Sequence, residues 1–434
     1  MRVAYLTAGA GGIYCGSCMR DNTLVATLKR QGLDVVLIPV YSPIRTDEPD
    51  VSENCVLYGG INIFLQQKSA LFRHMPRWLS RQLDRPGLLK RAMRNAGGAS
   101  PETSAPLVLS ILRGENGAQR RELDRLIGYL AKLAPQVVHL PNAFFVGLAG
   151  RIKRDLGVAV ACTLTGEDIY LDKLPSAYQE EARRLIGLGG RDVDAFLSVS
   201  RYYTNYAVTS LGIAPERIHQ VPLGIRIESD EHSIEDGPSP TTDRPFTLGY
   251  MARICHDKGL HVLCEAFALL HAKGRPCRLK IAGYLGEDQR SYFDKIRSRM
   301  AERDLEAFVD VVGEVDRAGK IRVLRSLDIL SVPTVYREAK GLYVLESLSQ
   351  GVPVVQPRHG SFPDLIEATG GGLMCEPNDP ASLAEGIGQL MNDPALRMEL
   401  GQAGARAVRT SYTDEMMAAR AWEVFEGCYQ SSKS

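Results

Sequence analysis

Short apolar, β-branched runs alternate with segments of helical period along almost the whole chain, and this alternation narrows the fold more than any other feature. In the first half strands read at Val3–Leu6, Val35–Val40, Val137–Leu140, Val158–Thr163, Phe196–Val199 and His219–Val221. Helical patterns lie between them, as at Asn22–Arg30, Arg120–Leu133 and Tyr203–Leu211. Short buried strands separated by amphipathic segments imply a parallel sheet with crossover helices. Residues 226–244 break the pattern: they are polar, interrupted by proline and poor in apolar side chains, as a linker is. The alternation then restarts with strands at Phe246–Met251, Leu279–Ala282, Val309–Val312, Ile329–Val332 and Val352–Val355. A helix at Leu260–Ala272 places Leu260, Leu263, Phe267 and Leu270 on one face, with Gly274 past its end.

The reading is an α/β chain of two doubly wound, Rossmann-like domains in tandem. The first covers 1–225 and carries a basic insert near 66–96; 226–244 is the linker; the second covers 245–410. A helix over 411–434 is expected to pack back on the first domain. Ligands of such sheets bind beyond the carboxyl ends of the strands, here in a cleft between the domains. The length of 434 residues suits this, being too much for one core. Lys and Arg total 52 against 51 acids, so a net charge of +1 gives no global attraction to nucleic acid. Nine scattered cysteines suggest a reducing compartment. The apolar start of the chain breaks early into glycines, which suits a strand and loop better than a signal peptide. A cytoplasmic location follows as an expectation.

Two segments of the second half carry candidate chemistry. Arg253 and Lys258-Gly259 follow a strand and precede a helix; two cations at a strand's carboxyl end can clamp a diphosphate. Glu338, Lys340, Gly341, Leu342, Tyr343 and Glu346 follow the run ending Ser331-Val332-Pro333. Gly341 permits close backbone approach, and free amides at a helix beginning near Leu342 suit phosphate oxygens. Glu346 sits beside apolar positions, where a carboxylate needs a partner that a ribose diol would supply. Glu338 can reach whatever the phosphates carry, with Lys340 placed to pair with it in the empty site. The loop Arg358–Asp364 lies at another strand's carboxyl end.

These residues resemble the nucleotide-binding domain of family 4 glycosyltransferases of the GT-B fold. The shared pattern is an Arg and a Lys-Gly, two glutamates with seven residues between them, and a following Ser349-Gln350-Gly351-Val352-Pro353-Val354-Val355. Weaker similarity runs over the whole chain, including Val221-Pro222-Leu223-Gly224-Ile225. The resemblance implies a retaining, metal-independent hexosyltransferase using a UDP- or GDP-linked sugar, with the donor as substrate and no cofactor. It implies that Arg253 and Lys258 neutralise the leaving diphosphate, that Glu338 contacts the donor sugar and Glu346 the ribose, and that a glycan, glycolipid or small molecule is the acceptor. Ala252 stands where the family pattern has Gly, Lys340 where it often has Phe, and Ser361-Phe362-Pro363-Asp364 in place of a Gly-x-Pro-Glu loop. The last two changes border the donor sugar and leave its identity open.

In the first half, Gly9, Gly11 and Gly12 form a glycine-rich turn after the first strand, and by resemblance Gly11 and Gly12 face the donor phosphates. Cys15-x-x-Cys18 follows; a metal site, a redox pair and packed thiols remain open for it. His139 ends a strand, where the family often has a histidine near the sugar. Thr165-Gly166-Glu167-Asp168 stands where a second family histidine is usual, and its two acids are candidates for the acceptor side. Residues 68–94 carry eight Lys or Arg and one acid, with apolar residues interleaved, and offer a peripheral membrane contact at the inner face. The triplet Asp192-Val193-Asp194 enters its strand from the amino end, the wrong end for a metal-bound ligand. A GT-B epimerase or phosphorylase, and a silent sugar-nucleotide-binding protein, are the alternative readings.

Overall fold

The computed structural model describes residues 1–9, 15–68, 101–227 and 244–433. Gly11, Gly12, residues 69–94 of the basic insert and most of the linker lie outside the described residues. The chain forms two units, Met1–Gly224 with Asp414–Ser434, and Ile225–Thr413.

The first unit is built on six parallel strands: β1 (Arg2–Thr7), β2 (Asp34–Pro39), β3 (Val137–Leu140), β4 (Ala159–Leu164), β5 (Ala195–Ser198) and β6 (Ile218–Gln220). Their order is β2-β1-β3-β4-β5-β6, so the winding reverses between β1 and β3. Every residue of β3, β4 and β5 is buried, as strands covered on both faces must be. The helix Gly16–Arg30 starts six residues before the apolar periodicity becomes legible at Asn22. Arg20, Asp21, Asn22, Thr23 and Thr27 are all buried in it, and these polar residues hide the apolar stripe from the sequence. Gly9 has φ +78°, and a Cβ there would strike the Ser42 carbonyl group; only glycine lets the loop after β1 pass so close to the loop after β2.

The helix Asp414–Ser431 closes this core. Met417, Ala418, Ala421 and Phe425 are buried against Tyr5, Leu24, Leu28 and Val35. Asp414, almost fully buried, accepts from Thr27 Oγ1 at 2.7 Å and from Arg30 Nη2 at 2.6 Å.

The second unit has β7 (Thr247–Met251), β8 (Arg278–Ala282), β9 (Val309–Gly313), β10 (Ile329–Leu330), β11 (Val354–Pro357) and β12 (Gly372–Cys375). All are parallel, in the order β12-β11-β10-β7-β8-β9, and the winding reverses between β7 and β10. The helix Leu260–Ala272 buries Leu260, Leu263, Phe267 and Leu270 completely. β10 is shorter than its apolar run Ile329–Val332. Past Leu330, Val332 N donates to the Gln356 side-chain oxygen rather than to the β11 backbone, and Pro333 ends the ladder. β12 is an edge strand begun by glycine, and its half-buried residues left no apolar run to read.

The hydrogen bonds at Asp414 tie the last helix to the first. Asp414→Ala should cost about 1–3 kcal/mol, the usual price of stranding buried polar partners. Urea unfolding should show a lower midpoint at similar slope; an unchanged midpoint would show that this contact is not what holds the helix.

Candidate active site

Two loops leave the second sheet where its winding reverses. The loop after β7 carries Arg253, which is exposed, and its guanidinium makes no hydrogen bond among the described residues. Its carbonyl accepts from Tyr250 OH at 2.9 Å, which fixes the backbone under it. A single turn, His256–Lys258, then leads to Gly259 at φ +71°. A Cβ on Gly259 would overlap the Pro333 carbonyl, so glycine is what brings the β7 loop against the β10 loop. Val335 N donates to Asp257 O at 3.0 Å across the same seam.

The loop after β10 brings Glu338 to Lys258. The carboxylate is buried and Lys258 Nζ lies 2.5 Å from its Oε2. Tyr336 OH donates to the same oxygen at 2.7 Å and Tyr343 OH reaches it at 3.4 Å. The Lys340 backbone N–H reaches Oε1 at 3.2 Å. The Lys258 ammonium lies 5.0 Å and 5.2 Å from the centres of the Tyr336 and Tyr343 rings, a cation–π bracket. Burial alone would push the Glu338 carboxyl up. The charge and hydrogen bond of Lys258, helped by Lys340 and Tyr336, overcome it and hold the group at about 2. Lys258 thus supplies an ammonium to Glu338, and the Lys340 backbone a further donor.

The loop after β11 braces this arrangement. Ser361 N donates to Glu338 O at 2.7 Å, and His359 Nε2 lies 2.9 Å from Thr334 O. Gly341, at φ +70°, opens the helix Leu342–Ser349, whose first amides at Leu342 and Tyr343 have no acceptor within the helix. Glu346, farther along that helix, is partly buried and pairs through Oε1 with Lys320 Nζ at 2.6 Å. Its other oxygen makes no hydrogen bond among the described residues. Lys320 stands on the separate helix Arg317–Arg325, and nothing in the local sequence pointed to it. Tyr336 was also missed, though it lies only two positions from Glu338.

The first-unit candidates are more enclosed. His139 is fully buried on β3, stacked on Tyr5 at 3.8 Å and bonded through Nε2 to Thr163 Oγ1 at 2.6 Å. Burial, then the Arg20 charge, keeps its ring neutral by pushing its pKa well down. The structure thus places His139 in the core and not on a face that a sugar reaches. Glu167 is a loop staple: it accepts from Ala143 N, Thr165 N and Gly166 N at 2.8, 3.0 and 3.0 Å, and from Tyr203 OH at 2.6 Å. Asp168 takes Tyr202 OH at 3.2 Å, and its Oδ1 has no hydrogen-bond partner among the described residues. Burial and the Glu167 charge push Asp168 up to about 6. Asp194 accepts from Val160 N at 2.7 Å and pairs with Lys153 at 2.6 Å, so that triplet is engaged in the fold.

Residues 22–224 match the family described as glycosyl transferase 4-like domain, and residues 233–407 match glycosyl transferases group 1. This chain belongs to the group 1 glycosyltransferases, with the GT-B fold. Among relatives of this glycosyltransferase, a putative colanic acid biosynthesis glycosyltransferase, WcaL, of Salmonella typhimurium is 27% identical over 246 residues, 55% of this chain and 57% of that protein. The capsular polysaccharide biosynthesis glycosyltransferase CapM of Staphylococcus aureus is 25% identical over 48% of this chain and 53% of its own length. The chain thus spans little more than half of these two relatives. A GDP-mannose-dependent mannosyltransferase acting on a monoacylated phosphatidylinositol monomannoside, from Corynebacterium glutamicum, is 24% identical over 64% of this chain and 73% of its own. Two solved structures share the fold over nearly the whole chain. HepE of Anabaena with UDP-glucose has a TM-score of 0.66 at 14% identity, covering 98% of this chain and 100% of its own. Sucrose-phosphate synthase of Thermosynechococcus elongatus has a TM-score of 0.69 at 16% identity, covering 99% and 100%.

The Lys258–Glu338 pair makes a test of its own. Lys258→Met leaves a buried carboxylate without its cation and should cost about 3–5 kcal/mol near neutrality. In that variant the folded-state pKa of Glu338 lies above the unfolded one, so the penalty is full above the folded value, shrinks as pH falls through it and is gone below the unfolded value. The gap from wild type should therefore narrow between pH 7 and about pH 4. Urea titrations at several pH values would read it, and a gap independent of pH would contradict the pairing.

Proposed function

We propose that this glycosyltransferase moves a hexosyl group from a UDP- or GDP-linked sugar to an acceptor hydroxyl of a glycan or glycolipid, with retention and without a divalent metal. The observation that carries this reading is the meeting of Lys258 and the amino end of the helix Leu342–Ser349 around Glu338, where the second sheet reverses its winding, with Arg253 exposed on the same β7 loop as Lys258. A diphosphate has two needs there, opposite charge and convergent donors, and these groups offer both. Arg253 presents a planar fork that makes no hydrogen bond among the described residues. Lys258, held by Glu338 and the two tyrosine rings, presents its charge to the phosphate from that position.

The chemistry proposed is front-face. The acceptor hydroxyl attacks the anomeric carbon on the side from which the diphosphate departs, and a leaving phosphate oxygen takes its proton. The protein's share is electrostatic: Arg253, Lys258 and the amides of Leu342 and Tyr343 stabilise charge that grows on the phosphate. Glu346 offers its uncommitted oxygen to the ribose while Lys320 fixes the other. Glu338 lies toward the sugar, where positive charge develops. The relatives that work on capsular polysaccharide and on a phosphatidylinositol mannoside, and the neighbour solved with UDP-glucose, support a nucleotide-sugar donor and a glycan or lipid-linked acceptor. A cytoplasmic site at the inner face of a membrane fits such acceptors and the nine cysteines, none of them in a disulfide.

A screen of UDP- and GDP-sugars, scored for donor hydrolysis and for transfer, tests the reading. Activity should survive EDTA, and Arg253→Ala should lower kcat/KM on the order of a hundredfold, about 2–3 kcal/mol, with unchanged far-UV circular dichroism. Release of sugar phosphate, or inversion at C2 of the donor, would replace transfer by another GT-B reaction.

The two glutamates should separate by role. Glu346→Gln should weaken free UDP or GDP in calorimetry and raise the donor KM more than it lowers kcat. Glu338→Gln should depress kcat while nucleotide affinity holds. The opposite split would reverse the assignment.

A further inference from the structure

Cys15 and Cys18 are not used by the chemistry above, and the structure sets them as a pair. Cys15 is the residue that caps the helix Gly16–Arg30, with extended backbone at φ −124° and ψ 123°. Met19 N donates to Cys15 O at 2.9 Å, so the first helical turn closes on Cys15. Cys18 occupies the third helical position, and side chains at the cap and that position are neighbours in space. The helix start thus sets Cys15 and Cys18 side by side, one turn apart. They differ in access: Cys18 is 1% exposed in the core under β1, whereas Cys15 is half-buried. A Cβ on the intervening Gly16 would meet nothing within 4 Å among the described residues.

We propose that Cys15 and Cys18 form a reversible dithiol–disulfide site, oxidised by a low-molecular-weight disulfide of the glutathione class. Cys15 attacks first, because it is the reachable sulfur and stands at the positive end of the helix. Its thiolate bonds to one sulfur of the disulfide, whose S–S bond breaks and releases one thiolate. Cys18 then attacks the Cys15 sulfur, the mixed disulfide breaks, and a second small thiolate leaves with the Cys18 proton. Two cysteines are oxidised and one small disulfide is reduced to two thiols. The neighbouring Cys15, then burial, push the Cys18 thiol up. Once Cys15 carries the mixed disulfide, its sulfur is the electrophile and Cys18 the attacker. Cys264, Cys277, Cys375 and Cys428, by contrast, are pushed up to about 12 chiefly by burial. They serve as internal controls.

Trypsin cuts after Arg2 and Arg20, so one peptide, Val3–Arg20, holds both sulfurs and no other cysteine. The full-length protein is equilibrated in glutathione redox buffers, quenched by alkylation, unfolded, digested and weighed. Val3–Arg20 should lose two hydrogens in a fraction set by the redox ratio and recover them with dithiothreitol, while the four control cysteines stay reduced. Cys18→Ser should instead accumulate glutathione on Cys15, because nothing resolves the adduct. Cys15→Ser should leave Cys18 unmodified. A peptide that stays reduced until the controls also react, a disulfide to any other cysteine, or a Cys18→Ser protein without adduct would each overturn the proposal.

Discussion

One buried carboxylate holds the second unit's site together. Glu338 takes the ammonium of Lys258 from the β7 loop, and its backbone carbonyl takes Ser361 N from the β11 loop. It stands itself on the β10 loop, so three neighbouring loops converge on one residue. Such a group is costly to bury unless it is paired, and here the pairing is what overcomes the cost. The two tyrosine rings do a second job. They hold the ammonium from both sides, so a long flexible lysine occupies one position instead of many. That preorganisation is what an electrostatic site needs, because charges already in place need not reorganise as the phosphate leaves.

The first unit buries polar groups in a different manner. Arg20 and Asp21 form an ion pair at 2.8 Å beneath the sheet, joined by Tyr5 OH at 3.0 Å and Thr7 Oγ1 at 2.8 Å to Asp21. Arg20 also reaches Thr163 at 3.1 Å, and Thr163 in turn holds His139. The network links β1, β3, β4 and the first helix through polar contacts that have one satisfying geometry, which an apolar core of the same size would not impose. His139 is thereby committed to the fold. A strand-end histidine looks alike in sequence whether it points at a sugar or at a tyrosine.

The sheets were legible because parallel strands covered on both faces must be apolar throughout. Val137–Leu140 and the helices Arg120–Leu133 and Leu260–Ala272 agree with the sequence reading to the residue. Elements were misjudged where that rule lapses. β12 is a half-buried edge, and the first turns of the helix Gly16–Arg30 are lined with buried polar residues. The candidate site was legible as residue types at loop positions. Arg253, Lys258, Glu338 and Glu346 stood out, since charges after a strand and near a glycine-capped helix are few. Their partners were not legible: Lys320 lies 26 positions before Glu346 and belongs to another helix.

By itself the sequence determined the parallel α/β architecture and which charged residues stand at carboxyl ends of strands. These follow from periodicity and short-range spacing, which are local. Tertiary structure alone decided who pairs with whom. Lys258 and Glu338 are 80 positions apart and meet because β7 and β10 are neighbours where the winding reverses. Glu167 becomes a staple because Tyr203, 36 positions on, closes over it. A carboxylate's role depends on which donors converge on it and on whether water reaches it, and strand order sets both.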